Sequence, residues 1–317
     1  MANIIMKKRS ENFTSFIYLI CFKKSIVFLL FLSFLVNQLH SQNLEPKIIA
    51  YNTLVGGLSG GIGAVINKKK EQKWHKVFAK GFVIGIGGGA IVYSGKKLNS
   101  LIAIKQNLAY GWVSRVVFSA GNSIVENAAA NRDFWSQWHY DIGFIRFEFH
   151  TKDMRVIPRF MPSTFGGIIF MMSHSTSFDY KTSLKSGTLT FYTNRISYEP
   201  RLVASTASNG FLFTDTLNHG KLFYDTYAHE MEHTFQFQEF SGVNNFFNPL
   251  SNKWKAKSPW FKKVSKWIYF DGNYELMLIN YFIINQGPKG KLYCRNYLEN
   301  EAEFLSVRKC ACDYLQH

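Results

Sequence analysis

A chain of 317 residues with 47% hydrophobic and 17% aromatic residues has enough apolar side chains for a sizeable core, which excludes an intrinsically disordered protein. The formal charge is +16; Lys7, Lys8, Arg9, Lys23 and Lys24 against Glu11 put +4 of it in residues 1–41 and leave the remainder basic at +12. The basic residues are scattered and form no nucleic-acid-binding motif, so nucleic acid is not expected as a partner, whereas an anionic membrane or envelope surface is.

The N-terminus reads as an export signal. A basic stretch precedes the apolar run of residues 25–36, which is short for a bilayer span, and a cut after Ser41 fits the pattern. An uncleaved anchor is the alternative, because residues 13–22 are apolar as well. Export places the mature chain in the periplasm, the cell envelope or outside the cell. Beyond Cys21 it retains Cys294, Cys310 and Cys312, and the expectation is one disulfide from Cys294 to Cys310 or Cys312 with one thiol left over.

Residues 48–66 and 81–95 are glycine-rich and apolar, joined by a lysine-rich connector, and read as a helical hairpin. Gly56 and Gly60, Gly57 and Gly61, and Gly81, Gly85 and Gly89 recur every four residues, which lines helix faces with small residues and lets backbones approach. Such a hairpin either packs inside a soluble domain or associates with a membrane. Leu101, Ile104, Leu108, Trp112, Val116 and Ile124 continue a helical spacing through residues 99–131.

The pattern then changes period. Residues 145–150 alternate strictly, and residues 155–172, 188–193 and 211–214 have strand composition between Gly, Pro and Asn, so a small antiparallel sheet is expected. Helices return at residues 225–240, 258–268, 272–285 and 296–308. Helices, then strands, then helices give an α+β fold.

One segment carries chemistry. His229-Glu230-Met231-Glu232-His233 sits in a helix with Asp225 as its expected N-cap, so His229 and His233 project from one face, one turn apart. Two imidazoles so placed can share a tetrahedral ion, and Glu230 is placed to act as general base on a water bound to it. A catalytic zinc needs a third protein ligand, and Glu301 in the acidic stretch of residues 299–303 is the candidate. Glu299 and Glu303 do not share Glu301's helix face, so only one of the three can be the ligand; Glu303 is the main rival and Glu275 a weaker one. Tyr297, four residues before Glu301, is a candidate donor to an oxyanion. Residues 220–224 read as an edge strand able to align an extended substrate. His75, His139, His150, His174 and His219 lack ligand spacing and read as structural.

His-Glu-x-x-His followed on a later helix by Asn300-Glu301-Ala302 resembles the gluzincin class of zinc metallopeptidases, over residues 221–306. The resemblance implies Zn2+ held by His229, His233 and Glu301, Glu230 as catalytic base, and a peptide or protein substrate. Where that class carries an acidic residue after Asn-Glu-Ala to orient the first histidine, this chain has Leu305 and Ser306. The implied organisation is a signal peptide at 1–41, a glycine-rich helical region at 42–134 and a zincin-like α+β region at 135–317, the last two packed together. Two other functions fit the same residues: an exported binding protein with a non-catalytic zinc site, and a membrane-anchored structural protein built around the glycine hairpin.

Overall fold

The computed structural model describes residues 44–196, 203–217, 220–284 and 296–307. The expectations for the export signal, the cleavage site, the four cysteines and His219 lie outside the described residues.

The glycine stripes form a tight helical core. Helices α1 (Leu44–Ile66) and α2 (Trp74–Lys105) run antiparallel, and α3 (Tyr110–Ala129) lies along α2. A Cβ on Gly85 would stand 2.2 Å from the Gly56 carbonyl oxygen, and one on Gly60 2.4 Å from that of Gly81. Gly121 meets the backbone of Gly88 and Val92 in the same way. Any side chain at these points would force the helices apart, which explains why so much glycine is kept despite its cost in a helix. By length and composition alone, α1 and α2 also reach what a membrane span requires.

Strands β1 (Gln137–Ile142), β2 (Ile145–His150) and β3 (Arg155–Phe160) form an antiparallel meander. Arg146 joins it to α3, donating to both carboxylate oxygens of Glu126 at 2.7 and 2.5 Å. The strand composition of residues 155–172 does not run through: after β3 comes helix α4 (Pro162–Ser173). Pro162 pre-sets its first turn, and the Asp271 carboxylate accepts from Ser163 N at 3.1 Å and Thr164 N at 2.7 Å, a cap supplied from far along the chain.

A second sheet follows, of strands β4 (Ser177–Phe178), β5 (Leu189–Thr193), β6 (Ala204–Ala207) and β7 (Gly210–Thr214), with helix α5 (Tyr180–Ser186) between the first two. Its order is β4-β5-β7-β6. It is mixed rather than antiparallel, because β5 and β7 pair in parallel. Every residue of β7 is buried. Phe211 and Phe213 face helix α6 (Lys221–Gln238) through Phe223 and Tyr227, and Leu212 packs with Ile168 and Met171 of α4. The sheet is thus sandwiched between α4 and α6, and the fold is α+β.

Residues 220–224 are no edge strand: α6 begins at Lys221, which leaves Asp225 inside the helix rather than at its cap. Beyond a 3-10 segment (Ser241–Phe247) come α7 (Asn248–Lys257), α8 (Pro259–Val264), α9 (Asn273–Ile284) and α10 (Tyr297–Leu305).

Candidate metal centre

Helix α6 carries four jobs on four faces. Phe223, Tyr227, Met231 and Phe235 recur every four residues and bury into the sheet core. His229 and His233 face α10, while Glu232 and Glu239 face Lys96 of α2. Glu230 faces the neighbouring edge strand β6, where Thr206 Oγ1 donates to its carboxylate at 2.6 Å. Asn99 of α2 donates to the Ala228 carbonyl at 2.7 Å, pinning the helix just before the first histidine.

The two histidines turn their Nε2 atoms toward each other at 3.1 Å. Both converge on Glu299 Oε2, at 3.4 Å from His229 and 3.5 Å from His233. The edges of a tetrahedron around an ion with bonds of about 2.0–2.2 Å are about 3.3–3.6 Å long, so these three atoms have the spacing of one face of a zinc site. Two imidazoles and one carboxylate are also the donor set of a catalytic zinc with an open position. The electrostatics agree. Burial opposes a charge on His233, yet the Glu299 carboxylate beside it holds it up to about 10. Burial likewise opposes charge on Glu299, and the two histidines overcome it, keeping the carboxylate well below its usual range. A buried carboxylate between two histidines is a place that favours a cation.

Gln236 fixes the chemistry of the second histidine. Its Nε2 donates to the Leu298 carbonyl at 2.8 Å and to Glu301 Oε2 at 2.9 Å, so its Oε1 is the atom that faces His233 Nδ1 at 2.8 Å. Nδ1 therefore carries a proton, which leaves Nε2 as the nitrogen that a metal would take in place of its own proton. His229 Nδ1, also buried, meets no hydrogen-bond partner among the described residues. The residues at the class's acidic position are Leu305 and Ser306, and neither supplies one.

Glu301 is not brought to the histidines. Its Oε1 lies 3.0 Å from Lys96 Nζ and accepts from Asn52 Nδ2 at 3.0 Å. Lys96 is fully buried among Glu239 at 2.7 Å, Glu301 at 3.0 Å and Glu232 at 3.3 Å. Burial alone would discharge this ammonium; the three carboxylates outweigh it and hold the lysine charged. Burial then pushes Glu232 and Glu239 upward, against the pull of Lys96. Tyr297 belongs to this cluster too. Its hydroxyl is 3.4 Å from Glu301 Oε1 and its ring packs on Tyr51, with centroids 4.5 Å apart.

Of the residues expected from sequence, His229 and His233 stand together and Glu230 is close enough to favour a charge on His233, while Glu301 and Tyr297 belong to the buried lysine cluster. Glu303 and Glu275 are not in the cluster either; Glu275 accepts from Ser163 Oγ at 2.6 Å. Sequence reasoning weighed Glu299 but preferred Glu301, and it missed Gln236, Thr206 and Lys96. The charge in the middle of the glycine-rich helix was the available signal for Lys96, since a lysine on a buried face requires carboxylates opposite it. Comparison of the chain with protein-family models, with curated proteins and with solved structures returned no match.

Proposed function

We propose that the protein is a zinc-dependent hydrolase, with His229, His233 and Glu299 as the ligands and Glu230 as the general base. The observation that carries this reading is the convergence of three ligand atoms of catalytic type at 3.1, 3.4 and 3.5 Å, with a carboxylate next in sequence to the first ligand. Zinc bound there would lower the pKa of a water molecule and polarise a substrate carbonyl.

The chain's own residues do the rest. Glu230, its carboxylate held by Thr206, accepts a proton from the attacking water and returns it to the leaving group. Gln236 keeps His233 in the ligating tautomer. A peptide is the favoured substrate because β6, which holds Thr206, pairs only with β7 among the described strands. On its other side, where no described strand pairs, an extended chain beside Glu230 would add by backbone hydrogen bonds.

The test is Glu230→Gln in the full chain, assayed on a mixed peptide library alongside metal analysis. Zinc retained with hydrolysis reduced by about 10²–10⁴-fold is expected. Hydrolysis unchanged in that variant would remove Glu230 from its role.

A further inference from the structure

The segment that follows the metal helix has an unusual surface. Between Glu239 and Asp271 there is no acidic residue, and the stretch carries Lys253, Lys255, Lys257, Lys262, Lys263 and Lys266. Five of these are exposed and Lys255 is half-buried. Among them stand three tryptophans that a soluble surface has no reason to show: Trp254 is 51% exposed, Trp260 71% and Trp267 63%. Neither α7 nor α8 has a buried residue, so both are held at the surface by short contacts rather than by an inserted face.

The aromatic groups here are organised. Trp254 meets Phe261 edge-on at 5.5 Å, and Phe261 stacks on Phe270 at 5.9 Å, so a continuous row runs across both short helices. Phe270 and Leu250 are themselves exposed. The row continues inward into a cavity of about 510 Å³ lined by Trp254, Phe261, Phe270, Lys255 and Arg159. Two carboxylates also face that cavity, and both are already paired, Glu126 with Arg146 and Glu148 with Arg159 at 2.7 Å. Arg132, Arg159 and Lys255 outnumber those two carboxylates around the cavity, so positive charge there is in excess.

Tryptophan prefers the boundary where its ring can be apolar and its N–H wet, and lysine reaches past it to anionic headgroups. We propose that this face, from α7 through Phe270, seats the protein on the surface of a bilayer that contains anionic lipids. Both halves of the chemistry are needed. Lysines alone would answer to any polyanion, and tryptophans alone to any lipid; their alternation along one surface segment fits a charged bilayer.

Flotation of the full chain with vesicles tests this, using phosphatidylcholine alone and phosphatidylcholine mixed with phosphatidylglycerol. Every variant keeps the same N-terminus, so differences between variants report this face. Wild type should bind the mixed vesicles at least about tenfold more tightly than the neutral ones, and added salt should weaken that binding. Lys253→Gln, Lys257→Gln, Lys262→Gln, Lys263→Gln and Lys266→Gln combined should remove that preference. Trp254→Ala, Trp260→Ala and Trp267→Ala combined should weaken binding to mixed vesicles by about tenfold or more while leaving heparin binding unchanged. Thermal unfolding of both variants close to wild type is expected, since the substituted side chains lie mostly in solvent. The proposal is overturned if both variants bind mixed vesicles as wild type does. A tryptophan variant that loses heparin and vesicles equally would also overturn it, because the face would then serve a soluble polyanion.

Discussion

His233 and Gln236 share a hydrogen bond of 2.8 Å between Nδ1 and Oε1, and the same glutamine ties α6 to α10 through Leu298 and Glu301. One side chain thus sets the tautomer of a candidate ligand and the register of the helix that supplies Glu299. Gln236→Leu should keep the fold and lower zinc affinity by about 10–100-fold, read by competition with a chelating dye. Affinity equal to wild type would show that His233 needs no orienting partner.

Lys96 stands at the centre of three buried carboxylates. Lys96→Met leaves them without a counter-charge and should destabilise the protein by about 3–5 kcal/mol in guanidinium unfolding. Adding Glu239→Gln should recover part of that loss, because one of the stranded charges is gone. A loss below about 1 kcal/mol in the single variant would mean the cluster relaxes by protonation at little cost.

The glycine core gives opposite expectations for two neighbouring positions. A Cβ at Gly85 would strike the Gly56 carbonyl at 2.2 Å, whereas one at Gly87 meets nothing within 4 Å. Gly85→Ala should destabilise by about 1–3 kcal/mol. Gly87→Ala should stabilise by about 0.5–1 kcal/mol through helix propensity. Equal effects in thermal melts would contradict the packing described for α1 and α2.

The buried group of Glu126, His139 and Arg146 sets the acid limit of stability. Burial and then the nearby Arg146 push His139 down to about 3. Burial opposes charge on Glu126, yet Arg146 pulls it down to about 2. Both values are depressed, so both contributions are present at neutral pH. The histidine's part fades as pH falls from 6.5 through about 3, and the carboxylate's as it falls from 4.5 through about 2. Asp141, raised by burial to about 6, works in the opposite sense: its part is present below 3.8 and lost as pH rises through about 6. His139→Gln isolates the histidine. Its stability should fall less between pH 6.5 and 3 than that of wild type, by on the order of a few kcal/mol in urea unfolding. Parallel curves would remove His139 as the acid-sensitive group.

The histidine pair was legible because two side chains at i and i+4 share a helix face by local geometry alone, and His229 and His233 show it without any tertiary knowledge. The glycine hairpin was legible for the same reason, since a four-residue repeat of small residues fixes which faces meet. The choice between Glu299 and Glu301 was not. Both are buried on one short helix, and they point to different neighbours, one to the histidine pair and one to Lys96. Only the position of α2 decides between them. Likewise, residues 162–173 have strand composition, and the cap that makes them helical is Asp271, more than a hundred residues away. Residues 220–224 do not form an edge strand, because tertiary packing, not composition, extended α6 toward its N-terminus; the edge strand beside Glu230 is β6.

The most direct measurement is the zinc content of the purified full chain beside His229→Ala, Glu299→Gln and Glu301→Gln, each checked for native circular dichroism. One zinc per chain in wild type and in Glu301→Gln, with loss in His229→Ala and Glu299→Gln, is the expected result. Zinc kept by a folded Glu299→Gln and lost from a folded Glu301→Gln would contradict the assignment of His229, His233 and Glu299 as the metal site.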